Sequence, residues 1–318
     1  MNLQLQQLFL LQQRARLDNY QKNIYLRLSK GYRGEMKMDQ LFERHAEKVE
    51  YLDDLTLHFQ GTTVQIDKLA LSKDTVQIFD MKFYQGKYSF ENGEWYYGNQ
   101  LLAHNILEQL RQAVRLVKGV FTQAELDLKV VGILAFMNEA AEIIIQDEIA
   151  ETILQHDQIA SYLASLKPTK NWKWKKVLQP FMRPAINQPL TNIQLKNLKK
   201  GICCRHCHSL NTYESRYTLN CQDCGHKEPK QTAYNRTICE FGCLFPAEEL
   251  KKGRLIEFFG KNVNISYLNR TLRKYFELIK NTGPTSAYVN KAVSFEEWFA
   301  ADSNHFQTLE KRTQWRSL

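Results

Sequence analysis

The pattern "CRHC", thirteen residues, then "CQDC" runs from Cys204 to Cys224. It constrains the fold of this chain more than any other stretch. A tetrahedral Zn²⁺ takes four ligands, and two close C-x2-C pairs brought together by a hairpin supply them. Gly225, directly after the second pair, suits the tight turn that such a knuckle makes. All seven cysteines fall between Cys203 and Cys243. An odd number in one cluster points to a metal site in a reducing, cytoplasmic compartment rather than to a disulfide framework. Cys203 is an alternative ligand to Cys204, and His206, His208 or His226 is an alternative to a cysteine. Cys239 and Cys243 are four apart, as on one helical face, and read as structural free thiols. Four protein ligands leave no open position, so the metal's expected role is structural, displaying the basic residues around it.

The rest of the chain has room for two or three domains at 318 residues. Its hydrophobic fraction of 43% suits a globular protein. A net charge of +9 favours an anionic partner such as nucleic acid, although many soluble proteins are simply basic. No apolar run approaches the ~20 residues needed to span a bilayer. "LFLL" (Leu8 to Leu11) is too short for a signal peptide and has no basic segment before it.

Residues 1–30 are Gln- and Leu-rich and read as a helical extension. A second helix is expected after Gly31 and Gly34, with Met38, Leu41, Phe42 and His45 as its stripe. A short strand near 55–60 follows. "NGEWYYGNQ" reads as a loop, and residues from about 100 to 120 as a helix. "LKVVGILAF" (Leu128 to Phe136) has the pattern of a buried strand. "AEIIIQ" reads as a further strand, and a helix near 149–166 closes a mixed α/β domain over 31–166. Residues 167–200 carry nine lysines and arginines, four prolines and no acid, which reads as a basic linker. The cysteine region covers 201–230. A helical region over 231–318 ends in a hairpin-like "NTGPTSAYVNK".

One hairpin carries charges that sheet sequence does not need. "VQIDKLALSKDTVQIFDMK" (Val64 to Lys82) reads as two strands around a Lys73-Asp74 turn. Ser72 then faces Thr75, Asp67 faces Asp80, and Gln65 faces Lys82. Opposed residues share a sheet face with Cβ atoms about 4.5–5.5 Å apart. Strand alternation puts Leu69, Leu71, Val76, Ile78 and Lys82 on that face, and Ile66, Phe79, Met81 and Phe83 on the other. Two opposed, partly buried carboxylates need a shared proton or a cation. Mg²⁺ typically binds through one or two carboxylates plus substrate phosphates. A neighbouring lysine can then help activate water and neutralise transition-state charge. The plain alternative is an Asp80–Lys82 or Asp67–Lys82 ion pair. Glu35 lies on the same helical stripe as Met38 and Phe42, or else serves the dipole of its helix. Gln109 shares a helix face with Asn105, at the edge of an apolar stripe, or is a buried amide satisfied by backbone.

The order Glu35, Asp67, Asp80-x-Lys82 and Gln109 resembles the NERD (nuclease-related) domain of the PD-(D/E)xK nuclease superfamily. "GYRGE", "VQIDKLAL", "FDMKFYQGKY", "NGEW" and "NILEQ" look like that family's motifs, in its order, over roughly residues 31–150. The resemblance implies a restriction-endonuclease-like mixed sheet flanked by helices. It implies that Asp67 and Asp80 hold Mg²⁺ or Mn²⁺, that Lys82 handles the water, and that Glu35 and Gln109 support metal and substrate. The chain has Asp80 where the family usually has Glu, and Ile106 where it often has Pro. The cysteine region, for its part, resembles a zinc ribbon.

"KNWKWKK" interleaves Trp172 and Trp174 with Lys173, Lys175 and Lys176. Aromatics can stack on bases while lysines neutralise phosphates. The alternative is a solvated segment whose tryptophans pack on the nuclease-like domain. In the tail, Leu268, Leu272, Tyr275, Phe276 and Ile279 form one stripe, with Arg270, Arg273 and Lys274 off it. This suits a winged helix-turn-helix or a plain helical packing module. The sequence therefore leads to a Mg²⁺-dependent nuclease acting on DNA rather than RNA, with a zinc-binding region that helps hold nucleic acid. The alternative is a non-catalytic DNA-binding or regulatory protein built on a nuclease-like scaffold.

Overall fold

The computed structural model describes residues 2–169, 173–184, 189–190, 192–280 and 286–315. The chain divides into two compact units, one of residues 27–186 and one of residues 1–26 with 187–318. Two helices open it, α1 (Leu3–Arg14) and α2 (Asn19–His45). The expected helix start after Gly31 and Gly34 is not a boundary, because α2 runs through both glycines. A helix interior tolerates each at about 1 kcal/mol. α2 buries Met38 and Phe42 as expected, but His45 is exposed and Ala46 takes the next core position.

In the 27–186 unit, β1 (Glu50–Phe59), β2 (Thr62–Ser72) and β3 (Thr75–Lys82) form an antiparallel meander. Its β2–β3 register runs from Ser72↔Thr75 to Lys68↔Phe79, the pairing expected from the sequence. β4 (Gly86–Glu91), β5 (Glu94–Tyr97) and β6 (Gln100–Leu101) follow, then α3 (Ile106–Gln123). β7 (Lys129–Phe136) pairs parallel to β3. β8 (Ala141–Ile145) pairs parallel to β4, and β9 (Thr152–Leu154) parallel to β7. α4 (His156–Ser165), α5 (Lys173–Leu178) and β10 (Met182–Arg183) complete the unit. The main sheet has the order β10-β1-β2-β3-β7-β9. Parallel neighbours such as β3 and β7 need a crossover, and α3 lies in that connection. α3 packs Leu107, Leu110 and Val117 with Leu69, Leu71, Val76 and Ile78. Met38 and Phe42 of α2 and Ile159 and Leu163 of α4 pack with Ala70, Phe79 and Ile133. The result is a mixed α/β fold whose sheet is flanked by helices on both faces, the restriction-endonuclease-like arrangement.

Three sequence expectations change here. "NGEWYYGNQ" is not a loop but the hairpin of a second sheet, ordered β6-β5-β4-β8. Asn92 (φ 53°) and Gly93 (φ 80°) form its two-residue turn, both in the left-handed region that such a hairpin demands. The Asp147 carboxylate accepts their N–H groups at 3.1 and 2.7 Å. Ile66 packs in the same core as Leu69 rather than on the opposite face. Strict alternation fails there because Asp54, where the β1–β2 register skips a pair between Asp53↔Lys68 and Leu55↔Ile66, has φ 47°. Finally, the basic stretch does not run free: α5 and β10 belong to this unit, and β10 pairs with β1.

In the other unit, β11 (Thr212–Glu214), β12 (Thr218–Cys221) and β13 (Lys227–Pro229) form a small antiparallel sheet. α6 (Lys230–Leu244), β14 (Leu250–Lys251), α7 (Lys252–Phe259), α8 (Ile265–Tyr275), β15 (Leu278–Lys280) and β16 (Ala287–Tyr288) follow. α9 (Phe295–Trp298) and α10 (Ser303–Trp315) end it. α6 is buried on nearly every side. A helix so enclosed needs its charges paired. Arg236 donates to Glu228 at 2.8 and 3.1 Å, to Glu240, and to the Cys203 carbonyl at 2.7 Å. Arg14 of α1 reaches Glu240 at 2.9 Å and lies over the Phe258 ring. This network ties α1, α6 and the cysteine segment together. Among the described residues, no helix is long and apolar enough to cross a membrane.

Candidate active site and metal centre

The β2–β3 ladder ends in a fork at Lys68↔Phe79, short of the Asp67–Asp80 and Gln65–Lys82 pairs expected from the sequence. Asp67 and Asp80 sit at that fork. Asp67 spans it by accepting the Met81 N–H on Oδ2 at 3.0 Å. Asp80 is 7% exposed, and its Oδ1 accepts from Lys82 Nζ at 2.7 Å. Its Oδ2 is buried with no hydrogen-bond partner among the described residues. A buried carboxylate oxygen without a donor is costly unless a cation or proton meets it.

The titration behaviour follows from this crowding. Burial, and then the Asp80 charge, push the Asp67 carboxyl up to about 7. Burial also raises Asp80, with Lys82 opposing it. Burial alone would lower Lys82, but the Asp80 carboxylate outweighs it, and the ammonium is held above its ordinary range. Glu35 is solvent-exposed on α2 at the rim of the group. Desolvation by the protein around it, then Asp54 and Asp39, raise its carboxyl. The site therefore holds more carboxylates than cations.

Two neighbours of this cluster were not read from the sequence. Lys68 is fully buried, paired with Asp39 at 3.0 Å and with Asp53, and lies over the rings of Phe42 and Tyr51. It neutralises two rim acids and leaves Lys82 to face Asp80. Its signal was the lysine inside an apolar strand, beside the aspartate that drew attention first. Tyr84, two residues after Lys82, has its phenol raised by burial and lies within electrostatic reach of Lys82 and Asp80.

Gln109 stands apart. It is exposed on α3, and no hydrogen bond among the described residues links it to the carboxylates. Asn105 caps that helix by accepting the Leu107 N–H at 3.0 Å. Glu35, Asp67 and Asp80 do not converge as the thiols do. Among the described residues, only Cys204, Cys207, Cys221 and Cys224 place ligand atoms within 4.8 Å of one another.

Those four thiols come from two matching turns. Sγ of Cys204 lies 3.7 Å from that of Cys224, and Sγ of Cys207 lies 3.5 Å from that of Cys221. Each turn ends in a left-handed residue four after its first cysteine, His208 (φ 61°) and Gly225 (φ 71°). The His208 N–H closes on the Cys204 carbonyl at 3.0 Å, and the Gly225 N–H on that of Cys221 at 3.1 Å. The donor set is all thiol and tetrahedral in number, which fits a Zn²⁺ site and a zinc-ribbon-like region. Cys203 is not in the cluster. Burial pushes its thiol up to about 11. Cys239 and Cys243 are buried in α6, and burial raises both.

Of the two readings of "KNWKWKK", Trp174 follows the one in which the tryptophans pack on the nuclease-like domain. Trp172 lies outside the described residues. Trp174 is fully buried in the core of the 27–186 unit, with its indole N–H 3.4 Å from Glu50. It is closed to base stacking. Lys175 pairs with Glu50 at 3.7 Å, and Lys173 and Lys176 lie on the same short helix.

No curated protein and no solved structure matches the chain. Residues 30–137 match the family profile described as the nuclease-related domain, NERD. That stretch holds α2 from its middle onward, the forked hairpin and β7, so the carboxylate cluster lies within the matched region. By this match and this fold, the chain carries a nuclease-related domain of the NERD family over residues 30–137.

Proposed function

We propose that the protein is a divalent-metal-dependent nuclease that hydrolyses phosphodiester bonds, with DNA as its substrate, in the reducing interior of the cell. The observation that carries this reading is the buried Oδ2 of Asp80, without a hydrogen-bond partner among the described residues, beside Asp67 and Lys82. Asp67 and Asp80 would hold Mg²⁺ or Mn²⁺, with Glu35 at the rim. The bound cation would lower the pKa of a water and offset charge on the phosphate. Asp67 must lose its proton to serve, which its position at about 7 allows near neutral pH. Asp80 keeps Lys82 protonated and directed at the fork. Lys82 then donates hydrogen bonds to the attacked phosphate or to the water approaching it. Gln109, exposed on α3, would meet substrate rather than metal. The four cysteines would hold a structural Zn²⁺, shaping a region that assists nucleic-acid binding.

The test is a nuclease assay of zinc-loaded wild type against Asp80→Ala on DNA and RNA substrates, with and without Mg²⁺ or Mn²⁺. Cleavage that needs both the cation and Asp80 is expected. An absence of cleavage on every substrate would leave the fold as a scaffold and overturn the enzymatic reading.

A further inference from the structure

The C-terminal part of the chain has a topology of its own. Its elements run α6, β14, α7, α8, β15, β16. β16 pairs with both β14 and β15, giving the order β14-β16-β15. Three helices with a strand after the first and a hairpin after the third make a winged helix-turn-helix. In that arrangement the later helix of the pair is the one offered to a DNA groove. α7 stops at Gly260 (φ 83°), whose N–H reaches the Ile256 carbonyl at 3.0 Å. α8 starts at Asn264, whose side chain accepts the Tyr267 N–H at 2.9 Å.

α8 has two different faces. Leu268, Thr271 and Leu272 are buried. Ser266, Arg270, Arg273 and Lys274 are exposed, and Asn269 is half-buried between them. The helix contains no acidic residue. Among the described residues no ion pair is made by Arg270, Arg273 or Lys274. A solvated helix face usually mixes signs to support itself; this one is uniformly basic, with polar groups near its N-terminus. Beside it runs a cleft of about 990 Å³, lined from the cysteine ribbon by Arg216, Lys227 and the exposed Tyr213 and Tyr217. Glu214, next to Tyr213, is already taken by Lys230 at 2.5 Å and by the Tyr234 hydroxyl at 2.6 Å.

We infer that this unit binds duplex DNA, with α8 entering the major groove and Arg216 and Lys227 meeting phosphates beside it. The inference goes beyond cleavage, since such binding needs neither Asp80 nor a divalent ion. Ser266 and Asn269, near the start of α8, are placed for base edges, and Arg270, Arg273 and Lys274 for phosphates.

The test uses full-length, zinc-loaded protein with Asp80→Ala, so that nothing is cut. Fluorescence anisotropy of a labelled duplex is followed across salt concentrations without Mg²⁺. Replacing Arg270, Arg273 and Lys274 with alanine is expected to weaken binding at least about tenfold, and to lower the slope of log K against log salt by about 2 to 3. All three side chains are exposed, so zinc content and melting temperature should not move. A separate Arg216→Ala, Lys227→Ala pair should lower the slope by up to about 2. Unchanged affinity and slope in the α8 variant would overturn the inference. So would single-stranded DNA or RNA that displaces the duplex at equal concentration. A protein that never cuts DNA leaves this result untouched.

Discussion

The cysteine cluster and the carboxylate cluster are both groups of metal-ligand side chains, but they are assembled differently. The thiols come from two turns of one short ribbon and already converge within 4.8 Å. The carboxylates come from α2, β2 and β3, stand at a fork between strands, and keep an oxygen without a partner among the described residues. A closed tetrahedral set leaves no room for substrate, so its metal can only hold structure. An open set that repels itself stores a need for a cation and leaves space around it. Within one chain, the first arrangement supports folding and the second suits chemistry.

The contrast is broken most forcefully at the thiols. Structural zinc supplies on the order of 10 kcal/mol of folding free energy. A Cys204→Ser, Cys221→Ser variant is expected to fall from about one Zn²⁺ per chain to none and to lose the structure of its own unit. Unchanged metal content or melting would refute the closed-site reading. Next in size is Trp174→Ala. Because Trp174 is a fully buried core residue, its truncation should cost about 3–5 kcal/mol in denaturant unfolding. A variant of wild-type stability that loses only nucleic-acid affinity would return Trp174 to the interface.

At the carboxylates the expected effects fall on activity. Asp80→Ala and Lys82→Ala should each reduce cleavage by about 100-fold or more, with circular dichroism and melting retained. Loss of fold instead would make the pair structural. The smallest effect separates function from stability. The folded state holds the Asp67 proton more tightly than the unfolded chain does, so folding weakens as pH rises from the ordinary 3.8 to about 7. Asp67→Asn should remove that decline and stabilise the metal-free protein above this range by roughly 1–3 kcal/mol. It should also be inactive. Equal pH dependence in both proteins would show that Asp67 is solvated.

Features encoded locally were legible in the sequence. The Lys73-Asp74 turn set the β2–β3 register, and C-x2-C spacing set the thiol cluster. Features that depend on distant contacts were not. Trp174 stood open between base stacking and packing because its lysine neighbours are visible in the sequence and the core it fills is not. Ile66 was misplaced because a left-handed residue on the opposite strand, Asp54, broke the alternation. The helix through Gly31 and Gly34 reflects packing of Met38 and Phe42, which overrides local propensity. Lys68 was passed over because its partners Asp39 and Asp53 come from another helix and strand. Asn92-Gly93 was a missed local signal, since that dipeptide alone marks a hairpin turn.

The central claim is that Asp67 and Asp80 form a cation site, and calorimetric titration of Mn²⁺ into zinc-loaded protein tests it most directly. The titration compares wild type with Asp80→Ala, above and below the Asp67 value of about 7. The expected result is one saturable site in the wild type, tighter at the higher pH because Asp67 has lost its proton, and absent from Asp80→Ala. Equal Mn²⁺ binding by both proteins, or none by either, would contradict it.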